Sequence, residues 1–236
     1  MQEFSYYNIF ETKGIEYILT IVFFAILIPF WLVINKQVQI VPQIQRAFGV
    51  LTANILKIPK GIFYNKKHTW AFMEKSGIAR VGIDDLLPHL TGTCQVTFSK
   101  EPGDLIKKGE TMTLINHKGK KLRILAPISG KIVQSNQNLN KNPEILSSDP
   151  YSKGWIYGIE PTNWVEDTKS CIFAEDAVKW AANELDRFKD FLTSSLQKHT
   201  PELSMVALQD GGELRDQTLS ELPDPVWDDF QREFLD

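Results

Sequence analysis

Residues 59–164 alternate apolar and polar side chains in short runs, and glycine or proline separates most of these runs from one another. Short runs with a period of two are typical of β-strands that bury one face. The clearest pair of runs flanks the segment Pro127-Ile128-Ser129-Gly130, where proline and a glycine with positive φ favour a tight turn. We therefore predict a small sandwich of hairpin-linked strands that bends at its glycines and prolines.

The predicted strands of this region span residues 66–73, 78–81, 93–98, 105–106, 111–115, 122–125, 130–133 and 155–159. A short helix capped by aspartate is predicted over residues 84–90. His68 and Trp70 fall at i and i+2 of the first strand, so we predict that both are packed on one face rather than catalytic. His89 and His117 have no acidic or cysteine neighbour at ligand spacing, so we assign neither a metal nor a proton-transfer role to them.

A different pattern precedes this region, because residues 17–34 form an 18-residue run without a charged side chain. Such a run approaches the length of a helix that crosses a bilayer, and Pro29 is tolerated in such helices. Tyr17 and Trp31 match the aromatic belts of membrane interfaces. A cleavable signal peptide would need a basic start, whereas acidic residues dominate ahead of this run. We predict a retained transmembrane helix within an N-terminal segment of residues 1–35.

The charges on the two sides of this run predict its orientation. Glutamates dominate before it, whereas residues 36–67 contain six lysines or arginines and no acidic residue. The positive-inside rule then places the N-terminus outside and everything after the run in the cytoplasm. We therefore expect a single-pass protein of a bacterial inner membrane.

The stretch Thr12-Lys13-Gly14-Ile15-Glu16-Tyr17 and the exit Phe30-Trp31 complete this N-terminal pattern. With its start rich in phenylalanine and tyrosine, the segment resembles the single-span small subunits of membrane redox complexes. The resemblance implies a membrane, and protein subunits of such a complex, as the partners of the chain.

Residues 36–58 are predicted to form a basic amphipathic linker. Ile44, Phe48, Leu51 and Ile55 recur at spacings of 4, 3 and 4, which places them on one face of a helix. Two interpretations stay open. The helix lies in the plane of the lipid headgroups, or it packs on the folded domain or on a partner subunit.

The last third of the chain divides into a helix and an acidic tail. Apolar residues recur every three or four positions within residues 173–199, which predicts an α-helix. Residues 200–236 contain ten acidic residues against two arginines, a composition typical of disorder. Trp227, Phe230 and Phe234 nevertheless form the anchor pattern of a short helix that docks into a groove of a partner protein. Disorder, or packing against the chain itself, is the alternative.

The overall composition is that of a globular protein, with 43% hydrophobic residues and a net charge of −3. Cys94 and Cys171 share no CxxC spacing, so neither a metal site nor a disulfide is predicted. No basic patch interleaved with aromatic residues stands out, so nucleic acid is not an expected partner. The sequence contains no nucleophile–base pair, phosphate loop or metal cluster, and we therefore expect a protein without its own catalytic site.

Several motifs of the β-rich region occur in a distinctive order. They are His68-Thr69-Trp70, Ala79-Arg80-Val81-Gly82-Ile83-Asp84, Pro102-Gly103-Asp104, Lys108-Gly109-Glu110, Pro127-Ile128-Ser129-Gly130 and Asp149-Pro150-Tyr151-Ser152-Lys153-Gly154-Trp155. In order and spacing, residues 59–172 resemble the H protein of the glycine cleavage system, a small lipoyl carrier. The resemblance implies a mainly β fold, a barrel-sandwich hybrid, here with the N-terminal transmembrane helix and the C-terminal helix plus acidic tail added.

The lysine that carries lipoate in this family sits at the tip of the hairpin before the Pro-x-Ser-Gly turn, after a Glu-Ser-Val run. Counting back from Gly130 without gaps places Gly119 at that position, and Asn116 at the position of the glutamate. Lys118 and Lys120 flank it. Two interpretations stay open: a one-residue shift presents Lys118 or Lys120 to a lipoate ligase, or the chain has lost the lipoyl arm.

We therefore expect a membrane-anchored relative of the H protein that has lost the lipoyl lysine and holds no cofactor. Its expected role is that of an accessory or scaffold subunit of a membrane redox complex. The alternative is a working lipoyl carrier modified on Lys118 or Lys120, in which the lipoate supplies the chemistry.

Overall fold

The computed structural model of the chain describes residues 9–34, 51–201 and 214–236. Contacts between residues divide the chain into two units, residues 1–47 and residues 48–236. In the first unit, helix α1 (Ile9–Ile34) includes a proline in its interior, Pro29. Large apolar side chains of α1, among them Phe23 and Trp31, are more than half exposed.

The predicted transmembrane helix needs correction. A span takes about 20 consecutive apolar residues, and no helix within the described parts of the chain is both long and apolar enough to cross a bilayer. This finding contradicts the fold class as predicted, with its N-terminal transmembrane helix. It equally contradicts the predicted single-pass location in a bacterial inner membrane with the N-terminus outside.

The predicted amphipathic linker lies mostly outside the described residues, which resume at Leu51. The backbone N–H of Leu51 donates a hydrogen bond of 2.8 Å to the carbonyl oxygen of Leu214, and the side chain of Leu51 is buried. Ile55, predicted on the same helical face, is 46% exposed. These two residues therefore do not share one buried face.

The second unit is built on two antiparallel sheets. In chain order the strands are β1 (Phe63–Asn65), β2 (Thr69–Met73), β3 (Ala79–Ile83), β4 (Gln95–Phe98), β5 (Leu105–Ile106), β6 (Thr111–His117), β7 (Lys120–Leu125), β8 (Gly130–Ser135), β9 (Tyr157–Pro161) and β10 (Ile172–Phe173). The larger sheet has the order β10-β1-β2-β3-β9-β8-β5, and the smaller has the order β4-β6-β7. The hairpin β6–β7 therefore leaves β7 at the edge of the smaller sheet.

Short helices join the strands and one long helix follows them. The helices of this unit are α2 (Leu86–Thr91), α3 (Asn138–Lys141), α4 (Ile145–Ser148), α5 (Trp164–Thr168), α6 (Glu175–His199), a 3-10 turn (Thr218–Glu221), α7 (Asp224–Phe230) and a π-helical turn (Gln231–Leu235). Where the periodicity predicts a helix from residue 173, α6 begins at Glu175, because Phe173 pairs with Phe63 of β1 and Ala174 takes a φ of 56°.

The apolar stripe of α6 lies in the core together with the inner faces of both sheets. Leu185 and Phe188 of α6 are buried in one cluster with Met112 and Ile115 of β6 and Ile132 of β8. The alternation in the strands thus places one face of each sheet against a common core. The buried face of α6 packs against the same core.

Gly130 has a different role in its turn from the predicted one. Among the described residues it is not one of the glycines with positive φ. A Cβ atom there would lie 2.6 Å from Cγ2 of Ile159 and closer still to the carbonyl oxygen of Glu160. Glycine is required at this position because β9 runs so close to β8.

We expect Gly130→Ala to destabilise the domain by about 1–3 kcal/mol, because the added methyl group would force β8 and β9 apart. The measurement is the midpoint of urea unfolding, followed by tryptophan fluorescence. Lys131→Ala, at the next and exposed position, is the control and should shift the free energy of unfolding by less than about 0.5 kcal/mol. Equal midpoints for Gly130→Ala and the unaltered chain would refute this account of the turn.

Candidate functional site

The β6–β7 hairpin ends in a two-residue turn. His117 pairs with Lys120, so only Lys118 and Gly119 lie between the strands. Both turn residues have positive φ, 50° for Lys118 and 92° for Gly119, as a tight hairpin with right-handed twist demands. The backbone N–H of Gly119 donates a hydrogen bond of 3.0 Å to Oδ1 of Asn116. A Cβ atom on Gly119 would meet nothing within 4 Å, so this position faces open space.

The two lysines that flank Gly119 are in different surroundings. The Lys118 side chain is 66% exposed, and its ammonium lies 3.5 Å from a carboxylate oxygen of Glu221. An exposed pair of this kind contributes at most about 1 kcal/mol. The ammonium of Lys120 instead donates hydrogen bonds to the carbonyl oxygens of Leu222 and, at 3.5 Å, of Ser220.

Lys120 also lies against an aromatic ring, because its ammonium is 5.5 Å from the ring centroid of Trp227. Trp227 in turn is nearly parallel to the ring of His117, with 6.2 Å between the centroids. Two carbonyl oxygens and the face of an indole therefore hold the Lys120 ammonium. The hairpin offers one displayed lysine, Lys118, and one held lysine, Lys120.

The C-terminal segment, which we define as residues 214–236, also covers the edge of β7. The side-chain amide of Gln231 accepts a 2.7 Å hydrogen bond from the backbone N–H of Arg123 and donates a 3.2 Å bond to its carbonyl oxygen. The Arg123 guanidinium lies 2.7 Å from a carboxylate oxygen of Asp236. At Arg123 the side-chain amide of Gln231 thus makes the two backbone hydrogen bonds that a neighbouring strand would otherwise make.

The three predicted docking residues are buried within the chain itself. Trp227 is 2% exposed, Phe230 0% and Phe234 1%. Phe230 packs edge-on against Phe188 of α6 at 5.7 Å and is stacked on Phe234 at 4.8 Å. This is the packing that the sequence left open as an alternative. Docking of these residues to a partner stays a prediction, and it requires that the C-terminal segment leave its place.

A buried ionic network is a feature that the sequence did not indicate. His68 is not on a strand but precedes β2, with a φ of 57°. Its Nδ1 lies 2.8 Å from Oδ2 of Asp84, and its Nε2 is 3.5 Å from Oε2 of Glu184 on α6. The rings of Trp180 and Phe234 stack on the imidazole, with centroids 5.4 and 5.9 Å away. The network thus ties the larger sheet to α6 and to the C-terminal segment.

The pKa of His68 is displaced by opposing effects. Full burial lowers it, but the negative charges of Asp84 and Glu184 and the hydrogen bond to Asp84 outweigh the burial and raise the pKa to about 9. The pairing register of β2 with β3 places Thr69 opposite Ile83, which brings His68 and Asp84 together one step further along. A prediction of the β2–β3 hairpin register from the sequence could therefore have placed His68 beside Asp84.

His89 joins α2 to the C-terminal segment, which corrects the expectation that it has no acidic neighbour. Its Nδ1 lies 2.7 Å from Oδ1 of Asp216, and its Nε2 is 3.5 Å from Oδ2 of Asp85, one helical turn earlier. Hydrogen bonds to Asp216 and then to Asp85 raise the pKa of His89 to about 9. His117 lies beside the turn of the hairpin, and its Nδ1 is 2.8 Å from the carbonyl oxygen of Thr93.

The remaining candidate groups are possible metal ligands and the two cysteines. Within residues 9–34, 51–201 and 214–236, no cluster of three or more histidine, cysteine, aspartate or glutamate side chains has the geometry of a metal site. Cys94 is free and buried, and burial raises the pKa of its thiol to about 11. Cys171 is free and half-buried, and burial raises the pKa of this thiol as well.

The two raised histidine pKa values predict a fall in stability at high pH. The pKa values of about 9 for His68 and His89 exceed the ordinary value of 6.5. Their stabilisation is therefore complete below about pH 6.5 and is lost as the pH rises through about 9. We expect the midpoint of urea unfolding to be lower at pH 9.5 than at pH 6.5. Discounted for partial exposure, His89 accounts for about 1 kcal/mol of this change.

His89→Gln is the variant that isolates this contribution, because a glutamine retains hydrogen bonding but does not titrate. The variant should lose part of the difference between the two pH values. If the unaltered chain shows the same midpoint at both pH values, the charged state that we assign to these histidines is wrong.

Comparison with known proteins places the β-rich unit in a family. The family model described as glycine cleavage H-protein matches residues 62–184. The glycine cleavage system H protein of Anaeromyxobacter sp. strain K is 34% identical over 108 residues, which are 46% of this chain and 84% of that protein. The glycine cleavage system H protein of Thermus thermophilus is 36% identical over 106 residues, 45% of this chain and 82% of that protein.

Among solved structures, a glycine cleavage system H protein from Mycobacterium marinum aligns with a TM-score of 0.41 and 29% identity, over 44% of this chain and 87% of its own. The family match ends at residue 184, within α6, so the C-terminal segment lies beyond it. The match covers more than half of the chain and contains the whole β6–β7 hairpin. The chain belongs to the glycine cleavage H-protein family.

Proposed function

We propose that this member of the H-protein family does not carry lipoate and serves as a non-catalytic accessory or scaffold subunit that binds other proteins. The observation that carries the proposal is the turn of the β6–β7 hairpin. Counted back from Gly130 without gaps, the position of the family's lipoyl lysine falls on Gly119, a residue without an amine, and that of the family's glutamate falls on Asn116.

The register of the hairpin argues against Lys120 as an attachment site. Lys118 already lies in the turn beside Gly119, whereas Lys120 lies in β7 and would reach the tip only through a one-residue shift, which turns every side chain of a strand to the opposite face. Ile115 and Leu122, which pair across the hairpin, are both 0% exposed and would be turned outward. Exposing two buried aliphatic side chains costs about 3–6 kcal/mol. The shift that would present Lys120 is therefore strongly disfavoured.

What this chain retains is a folded surface without a mobile arm. The described residues form an extensive core, and neither the hairpin nor the histidine pairs offer a displayed nucleophile with a base. A protein of this kind acts through the partners that it binds. This argument supports an accessory role and leaves the chemistry to other subunits.

A second candidate function rests on Lys118. Its amine is displayed next to the tip and has a single weak ionic contact, with Glu221. Lipoate attached to this lysine would carry a reacting group from one enzyme to another on its dithiol. Of the hairpin residues, Lys118 is the one that fits such an attachment without a change of register, because Lys120 is held by backbone carbonyl groups.

The test is the mass of the intact protein after co-expression with a lipoate ligase, with peptide mapping across residues 115–125. We expect the unaltered chain to remain unmodified. The double variant Asn116→Glu, Gly119→Lys restores the two family residues and should gain a lipoyl group at position 119. The strain at that position is modest, since a lysine with positive φ costs about 1–2 kcal/mol.

Lys118→Arg is the matched control, because it keeps the charge but cannot be lipoylated. Lipoate on Lys118 of the unaltered chain, absent from Lys118→Arg, would overturn the proposal in favour of the carrier.

The accessory role has a test of its own. We expect the chain, isolated under native conditions from cells that express it at ordinary levels, to migrate in gel filtration with a stoichiometric partner. Migration solely as a free chain of 27.0 kDa would contradict an accessory role.

A further inference from the structure

We propose that the C-terminal segment is a cap that the chain places on its own β6–β7 hairpin, and that the cap controls access to Lys120 and to the edge of β7. This inference goes beyond the proposed function, because it concerns which parts of the hairpin can be reached, whether or not a lysine there is modified.

The first argument is the position of the Lys120 ammonium. It is bound by the carbonyl oxygens of Ser220 and Leu222 and lies over the ring of Trp227, all three in the C-terminal segment. The indole N–H of Trp227 donates a hydrogen bond of 2.8 Å to the carbonyl oxygen of Leu219, which holds the 3-10 turn in place beside the lysine. An amine can attack an acylating agent only when it is deprotonated and free, so these contacts protect Lys120.

The second argument is the edge of β7. An exposed strand edge is a template for pairing with another chain, and proteins usually cover or interrupt such edges. Here the amide of Gln231 engages both backbone groups of Arg123, and Asp236 pairs with its guanidinium. The π-helical turn that contains Gln231 therefore blocks strand addition at Arg123.

The third argument is the match of charge and shape between the segment and the surface beneath it. Trp227, Phe230 and Phe234 fill the space between the hairpin and α6 and are at most 2% exposed. Acidic residues of the segment meet basic groups around these anchors. The pairs are Glu221 with Lys118, Asp236 with Arg123, Asp216 with His89, and Asp229 with Lys198 and His199.

The fourth argument is the position of the cap in the chain. The family match covers the hairpin and ends at residue 184, so the cap is an addition that docks on a surface belonging to the family domain. With the cap in place, the hairpin exposes its turn, Lys118-Gly119, while Lys120 and the edge of β7 are covered. The cap thereby selects which lysine and which backbone groups another protein can reach.

The experiment measures the rate at which each lysine of the full chain reacts with an acetylating reagent, by quantitative peptide mass spectrometry. We expect Lys120 to react at least about tenfold more slowly than the exposed neighbours Lys121 and Lys131, because its charge-assisted hydrogen bonds must first break. Lys118 should react at the rate of the exposed lysines. Equal rates for Lys120 and Lys121 in the unaltered chain would overturn the proposal.

Trp227→Ala in the full chain should open the cap, raise the rate at Lys120 to that of Lys121, and speed the exchange of the Arg123 amide hydrogen. Lys108 reports on the rest of the fold, because its ammonium is held by the carbonyl oxygen of Asp167 at 2.6 Å and by Oγ of Ser170 at 2.9 Å. Trp155→Ala, which removes a partly buried tryptophan outside the cap, is the matched control and should leave Lys120 slow.

If Lys108 also becomes fast in Trp227→Ala, the fold is lost, and Gln231→Met replaces that variant. A methionine at position 231 has a similar length but no oxygen to accept the hydrogen bond from the Arg123 N–H, so amide exchange at Arg123 should become faster with little loss of packing. An Arg123 amide that remains as protected as in the unaltered chain would overturn the role of Gln231 as a cover of the edge.

The outcomes separate this inference from the proposed function. Lipoate found on Lys118 would refute the loss of the arm while leaving the cap intact, because Lys118 lies outside the covered region. Fast acetylation of Lys120 would refute the cap and leave the absence of an amine at Gly119 unchanged.

Discussion

The register of the β6–β7 hairpin is the constraint on which the site depends. Ile115 and Leu122 face each other across the two strands and lie in the common core, so the alternation of the strands cannot slip without exposing both. This burial fixes a two-residue turn and thereby places Lys118 and Gly119 at the tip. Core packing several residues away from the tip therefore decides which side chains the hairpin displays there.

The sequence predicted local structure well wherever apolar residues recur at the regular spacing of a strand or a helix. The alternation in β6 and β7 and the stripe along α6 are such signals, because each follows from one element facing one core. The hydrophobic run within α1 gave a wrong prediction, since a charge-free run with aromatic residues near its ends was interpreted as a membrane span, and no helix among the described residues is long and apolar enough for one. The strands β1 and β10 are too short to show a period at all.

Contacts between distant residues were beyond the reach of such patterns. Asp216 lies 127 positions from its partner His89, and the amide of Gln231 reaches Arg123 across 108 positions. Nothing in either local sequence indicates the other, because a hydrogen bond of this kind depends on the tertiary fold and not on a period. The acidic composition of residues 200–236 was typical of disorder for the same reason: several of the basic groups that pair with acidic residues of the C-terminal segment, among them Arg123 and His89, belong to other elements.

The turn of the β6–β7 hairpin and the C-terminal segment that lies beside it belong to the same surface. A lipoyl arm acts by moving between partners, so it needs a hairpin end that other proteins can approach from several sides. A segment anchored by Trp227, Phe230 and Phe234 closes one of those sides and holds Lys120 against itself. The turn itself, Lys118-Gly119, stays exposed, so partners can reach the hairpin from the side that the segment leaves open. The proposed accessory role is compatible with this cover, because the segment restricts the approach of a partner to the exposed turn and still leaves a surface for recognition.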